Sequence, residues 1–153
     1  EKLADGRVYT ADQALANGAE GIGLLRTEYL FFQHKTIPTE EEQVQVYSEI
    51  IRRMDGRPVV FRVLDVGGDK VSDYLGAKRE YNPFLGWRGI RFLVANRPLF
   101  KTQVKAIYRS AAAGHAKIMF PMICDVEELR ARVHRQPSSG LQRPGSSRVQ
   151  YPQ

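Results

Sequence analysis

The sequence predicts an α/β chain organised around a parallel sheet, and three observations carry that expectation. Helical and strand-like stretches alternate in the order α-β-α-β-loop-α-α-β-α, which implies parallel strands joined by right-handed crossovers. The central apolar run, PVVFRVLD (58–65), is rich in β-branched residues, as in strands covered on both faces. At 153 residues, 42% hydrophobic and 26% charged, the chain has the make-up of one globular domain with a real core. Two architectures share the element order: an open doubly wound sheet and a (β/α)8 barrel. A whole barrel takes about 250 residues, so on the second reading three visible strands are less than half of one.

Taken in order, Thr10 caps a short helix over ADQALANG, with Gly18 as its left-handed stop. GIGLLR (21–26) follows as a short buried strand ending in arginine. The clearest helix lies within PTEEEQVQVYSEIIRRMDG. There Thr39 and Glu42 form a capping box, acids fill the first turn, Arg52 and Arg53 the last, and Gly56 ends it. Val44, Tyr47, Ile50 and Ile51 recur at helical spacing on its apolar side. PVVFRVLD is the second strand, and a long loop over 66–83 carries a glycine pair. LGWRGIRFLVAN and PLFKTQVKAIYRSAAAG predict two helices, with Pro98 at a start and Gly114 as a stop. AKIMFPM (116–122) is the third strand, and VEELRARVHR opens a further helix capped by Asp125.

From Gln136 onward, QPSSGLQRPGSSRVQYPQ has no acid and no periodicity, which predicts a disordered or out-of-frame tail over 136–153 beside a domain at 1–135. The tail is either a natural flexible extension or a point where the genuine chain is cut or read out of frame. The net charge is +6, but residues 134–153 hold Arg135, Arg143 and Arg148 without an acid, half of that excess. The overall charge therefore gives little support to nucleic-acid binding. No apolar run approaches the roughly 20 residues of a membrane span. The charged start EKLADGR has the form of neither a secretory signal nor a transit peptide. The single Cys124 excludes an internal disulfide and fits a reducing cytoplasm, and no Cys/His pairs stand at zinc-ligand spacing.

The chemistry-bearing residues are basic. Arg26 ends the first strand and Arg62 lies near the end of the second. The carboxyl ends of parallel strands open on one rim, where active sites are built. Both guanidiniums should therefore converge there, joined by Lys70 of the GGDK turn and by Arg88. Guanidinium forks suit phosphate and carboxylate, while Gly67 and Gly68 permit close backbone approach to an anion. A small, multiply anionic phosphate compound satisfies this set. The plainer alternative is structural: strand-end arginines often make ion pairs, and Asp65 and Asp69 could neutralise Arg62 and Lys70 in a closed network.

GAEGIGLLRTEYLF, PTEEEQVQVYSEII, RPVVFRVLDVGGDK, NPFLGWRGIRF and KIMFPMI occur in this order and spacing. With them the chain resembles the phosphoenolpyruvate-protein phosphotransferases, enzyme I of the bacterial sugar phosphotransferase system, over roughly residues 5–133. The resemblance implies the N-terminal part of an incomplete (β/α)8 barrel that binds phosphoenolpyruvate (PEP). It implies that Arg26, Arg62, Lys70 and Arg88 engage PEP, mainly its phosphate. It also implies transfer to an enzyme histidine and on to a phosphocarrier protein, with Mg2+, in a cytoplasmic homodimeric whole enzyme. The acceptor histidine belongs to a separate preceding domain in that family, and none of His34, His115 and His134 has its Thr-Ser-His context. The family's metal carboxylates and acid/base cysteine lie on later strands, so Cys124 is expected to be a core or loop thiol. No catalytic or metal-ligating residue is expected in this chain, which alone should be inactive. The competing class is a non-catalytic module with a basic rim that holds nucleic acid or a phosphometabolite. Phe61, Phe84 and Trp87, in apolar contexts, look like core rather than stacking platforms.

Overall fold

The computed structural model describes residues 10–33, 36–66, 88–126 and 129–130. They fall into two units, Glu1–Met122 and Ile123–Gln153. In the first, α1 (Ala11–Ala16) is followed by β1 (Ile22–Arg26), α2 (Glu28–Gln33), α3 (Glu40–Arg53) and β2 (Val59–Arg62). After them come α4 (Gly89–Ala95), α5 (Arg97–Ser110), a 3-10 turn (Ala111–Ala113) and β3 (Ala116–Met119). In the second unit, residues 126 and 129–130 are helical, and the Leu129 N–H donates to the Asp125 carbonyl at 3.2 Å. Lys70, the glycine pair and the tail over 136–153 lie outside the described residues.

Local chemistry sets the boundaries. Both expected N-terminal caps form capping boxes, Thr10 with Gln13 and Thr39 with Glu42. Gly18 and Gly56 take φ of +81° and +76° where their helices stop, a conformation that costs glycine little. Two strands are shorter than their apolar runs. β2 stops at Arg62, not at residue 65, because side chains take over the backbone beyond it: the Leu64 N–H donates to Gln103 and the Asp65 N–H to Glu28. β3 stops at Met119, not at residue 122, because Pro121 has no N–H to donate and Met122 turns to φ +68°.

The strands are parallel and lie side by side in chain order, β1-β2-β3. Leu25 pairs with Phe61 and Arg26 with Arg62, while Arg62 also stands opposite Met119. Val59 and Phe61 point to one face, where they are fully buried, and the Phe61 ring meets Tyr47 of α3 at 5.1 Å between centroids. α5 packs against α3 on that face, with Ala106 and Ile107 buried. Val60 and Arg62 point the other way and are half-buried. On α3 the buried set is Gln43, Tyr47, Ser48 and Ile51, while Val44 and Ile50 are only half-buried. Two polar residues therefore lie inside where the apolar stripe alone was expected.

Candidate functional site

Because β1 and β2 run parallel with Arg26 opposite Arg62, both arginines stand at the carboxyl end of the sheet. Arg62 is the more enclosed, its side chain 16% exposed against 54% for Arg26. Its Nη2 donates to Glu28 Oε1 at 2.9 Å, and its Nη1 lies 3.3 Å from Asp65 Oδ2. Arg88, immediately before α4, grips Asp65 with a two-pronged fork: Nε to Oδ1 at 2.9 Å and Nη2 to Oδ2 at 3.0 Å. Arg26 Nε lies 3.7 Å from the other Glu28 oxygen. The structure thus joins three of the four expected basic residues through two carboxylates that are only 5% and 6% exposed.

Three guanidiniums and two carboxylates make up the described part of the network. Arg62 Nε is buried and has no hydrogen-bond partner among the described residues, and Glu28 Oε2 likewise accepts no hydrogen bond there. A buried donor left unmade costs about 1–3 kcal/mol, so Nε holds hydrogen-bonding capacity that the described residues do not use. Asp65 is shared by Arg62 and Arg88, two like charges that would otherwise repel each other. The carboxylates therefore hold the cations together at the rim as well as pairing with them. The plainer expectation is partly met: Asp65 does neutralise Arg62, whereas Asp69 lies outside the described residues.

Behind the rim is a buried polar chain. Gln103 of α5 accepts from the Leu64 N–H at 2.8 Å and donates to Thr27 Oγ1 at 3.0 Å and to the Tyr47 hydroxyl at 3.4 Å. The Thr27 hydroxyl donates to the Arg62 carbonyl at 2.9 Å. Tyr47 donates to Gln43, which donates to the Pro38 carbonyl. Burial pushes the Tyr47 phenol well above its ordinary value, so its proton stays in place. Glu28, Thr27 and Gln103 went unnoticed in the sequence, although a carboxylate two residues after a rim arginine was a signal that could have drawn attention to Glu28.

Residues 5–140 match the family model "PEP-utilising enzyme, PEP-binding domain". The chain belongs to this family. It is 48% identical over 125 residues to the phosphoenolpyruvate-protein phosphotransferase of Haemophilus influenzae, covering 82% of this chain and 22% of that protein. The protein of the same description from Geobacillus stearothermophilus is 50% identical over 117 residues, 76% of this chain and 20% of the relative. A multiphosphoryl transfer protein of Rhodobacter capsulatus is 53% identical over 112 residues, 73% of this chain and 14% of the relative. The chain thus spans about a fifth or less of the length of these curated relatives. All four arginine and lysine positions expected to hold substrate fall inside the PEP-binding domain match. Cys124 is exposed and in no regular element, so of the two expected placements it takes the loop one. No described helix is long and apolar enough to cross a membrane.

Proposed function

We propose that this chain is the phosphate-gripping part of a PEP-dependent protein phosphotransferase of the sugar phosphotransferase system, with residues 1–135 forming the first strands of a (β/α)8 barrel. The observation that carries the reading is the convergence of Arg26, Arg62 and Arg88 at the sheet's carboxyl rim, held there by Glu28 and Asp65, with the Arg62 Nε left without a hydrogen-bond partner among the described residues. The barrel is supported by strand order: β1-β2-β3 advances without reversal, and α3 and α5 both lie on the face buried by Val59 and Phe61. A doubly wound sheet reverses direction and covers both faces.

In this reading Arg26, Arg62 and Arg88, with Lys70, surround the phosphoryl group of PEP as it leaves the enol oxygen for a histidine nitrogen. The transition state spreads negative charge over three equatorial oxygens, and fixed guanidiniums stabilise it without moving protons. The acceptor histidine comes from elsewhere in the whole protein. His115 is exposed and precedes the amino end of β3, about 13 Å from the rim for four strand residues. Mg2+, which the resemblance implies, does not fit the described donor set. Glu28 and Asp65 are committed to guanidiniums, and no cluster of three or more metal-ligating residues occurs among the described residues. The carrier protein, the homodimer and the cytoplasmic setting belong to the same proposal for the whole enzyme.

Calorimetric titration of this chain with PEP, pyruvate and inorganic phosphate tests the reading. PEP and phosphate should bind and compete, while pyruvate, lacking the phosphoryl group, should bind far more weakly. Equal binding of pyruvate and PEP would refute a phosphate-directed site.

A further inference from the structure

We propose that Gln103 is a positioning residue for the arginine cluster: its amide locks the carboxyl ends of β1 and β2 to α5 and thereby sets where the guanidiniums stand. The inference rests on the phosphate-gripping reading above. Among the described residues Gln103 hydrogen-bonds to none of the charged groups. It bonds Thr27, which sits between Arg26 and Glu28, and Leu64, which immediately precedes Asp65. Through the Thr27 hydroxyl it also reaches the Arg62 carbonyl. Every residue of the rim network except Arg88 is thus within one residue of a bond in this lock, and Arg88 is held by Asp65.

The direction of each bond is fixed by chemistry. The Leu64 N–H can only donate, so Gln103 must face it with Oε1 and turn Nε2 toward Thr27 and Tyr47. Thr27 then accepts from Gln103 and has its single proton left for the Arg62 carbonyl; Tyr47 accepts in the same way and spends its proton on Gln43. No residue that only donates or only accepts can replace a glutamine here. The lock also begins where the sheet ends. The Val63 N–H still finds the Met119 carbonyl at 3.0 Å, and the next amide, Leu64, finds Gln103 instead. Gln103 is fully buried on α5, a place where an apolar residue of similar size would pack without demanding partners.

The test uses the whole 153-residue chain in six forms: wild type, Gln103→Leu, Thr27→Val, Thr27→Ser, Ile107→Val and, for assignment alone, Arg62→Lys. Ile107→Val removes a buried methyl group from the same helix without touching the lock, and so controls for lost stability. The first readout needs no ligand: the Arg62 Nε–H resonance, assigned by its loss in Arg62→Lys. Gln103→Leu and Thr27→Val should shift or broaden it, whereas Ile107→Val and Thr27→Ser, which keeps the hydroxyl, should leave it in place. The second readout is PEP affinity, expected to fall about tenfold or more in the first pair, as misplacement on the order of 1 Å costs up to about a hundredfold. An unmoved Arg62 resonance in Gln103→Leu overturns the inference whatever PEP does. Should Gln103→Leu fail to fold, the Thr27→Val and Thr27→Ser pair decides. A wild-type chain that binds no PEP would instead count against the phosphate reading, and the resonance would still judge the lock.

Discussion

Replacing Arg62 by methionine separates its two roles. Methionine keeps much of the apolar stem and deletes the fork. Asp65 then still has both bonds from Arg88, at 2.9 and 3.0 Å. Glu28 loses its 2.9 Å guanidinium partner and keeps the Asp65 N–H at 3.0 Å, with Arg26 at 3.7 Å. One buried carboxylate is therefore stranded, not two, which places the cost near the lower end of the range for broken buried pairs, about 3 kcal/mol. For a domain of this size that is on the order of 10 °C in Tm. Binding should suffer separately, since a charge-assisted contact contributes about 1.5–3 kcal/mol, or roughly 10- to 200-fold in PEP affinity. Adding Glu28→Gln removes the stranded charge and leaves an acceptor for the Asp65 N–H. The double variant should regain most of the stability and none of the affinity. Denaturant midpoints and PEP titration on the same preparations measure both. Full PEP affinity per folded molecule in Arg62→Met would refute the phosphate role, and unchanged stability would refute the pairing with Glu28.

Three further outcomes follow from the packing and ionisation. Because burial raises the Tyr47 phenol above its unfolded value of 10.0, its protonated form stabilises the fold below that pH, and the contribution is lost as pH rises beyond it. Wild-type urea midpoints should fall above about pH 10, and Tyr47→Phe should flatten that decline. Glu41 is held below its ordinary 4.5 by its hydrogen bonds to Arg109, so this bridge contributes above that value and fades as pH falls through the lowered one. The stability gap between wild type and Arg109→Gln should narrow on acidification from neutral pH to about pH 3. Gly89 sits at φ +55°, where a Cβ would lie 3.0 Å from Met122 Cγ and 3.2 Å from Asp65 Oδ1. Gly89→Ala should therefore cost about 1–2 kcal/mol in thermal unfolding and weaken PEP binding by displacing the carboxylate that Arg88 grips.

What could be read in the sequence depended on whether a residue's partner was nearby in the chain. The start of α3 was legible because Thr39 and Glu42 are three residues apart and satisfy each other. Arg26 and Arg62 were legible as a pair because parallel strands bring their ends to one rim. α2 was missed: six residues are too few to hold a helix unaided, and it depends on burying Leu30 and Phe31 in the core. The lengths of β2 and β3 were overestimated because an apolar run does not show where side chains capture the backbone. Gln103 lies 39 residues beyond Leu64, and no local pattern distinguishes a glutamine that faces the core from one that faces water.

The order in which the sheet is laid down has a consequence for how the chain comes to be folded. Each strand pairs with the one before it, so the sheet can be assembled in the sequence in which it leaves the ribosome, without any strand waiting for a distant mate. The bond that fixes the rim arrives late, because Gln103 emerges 39 residues after the amide it captures, a delay of about 2–8 seconds at typical rates of synthesis. In that interval the Glu28 and Asp65 carboxylates that pair with Arg26 and Arg62 have been made, and the Gln103 amide has not.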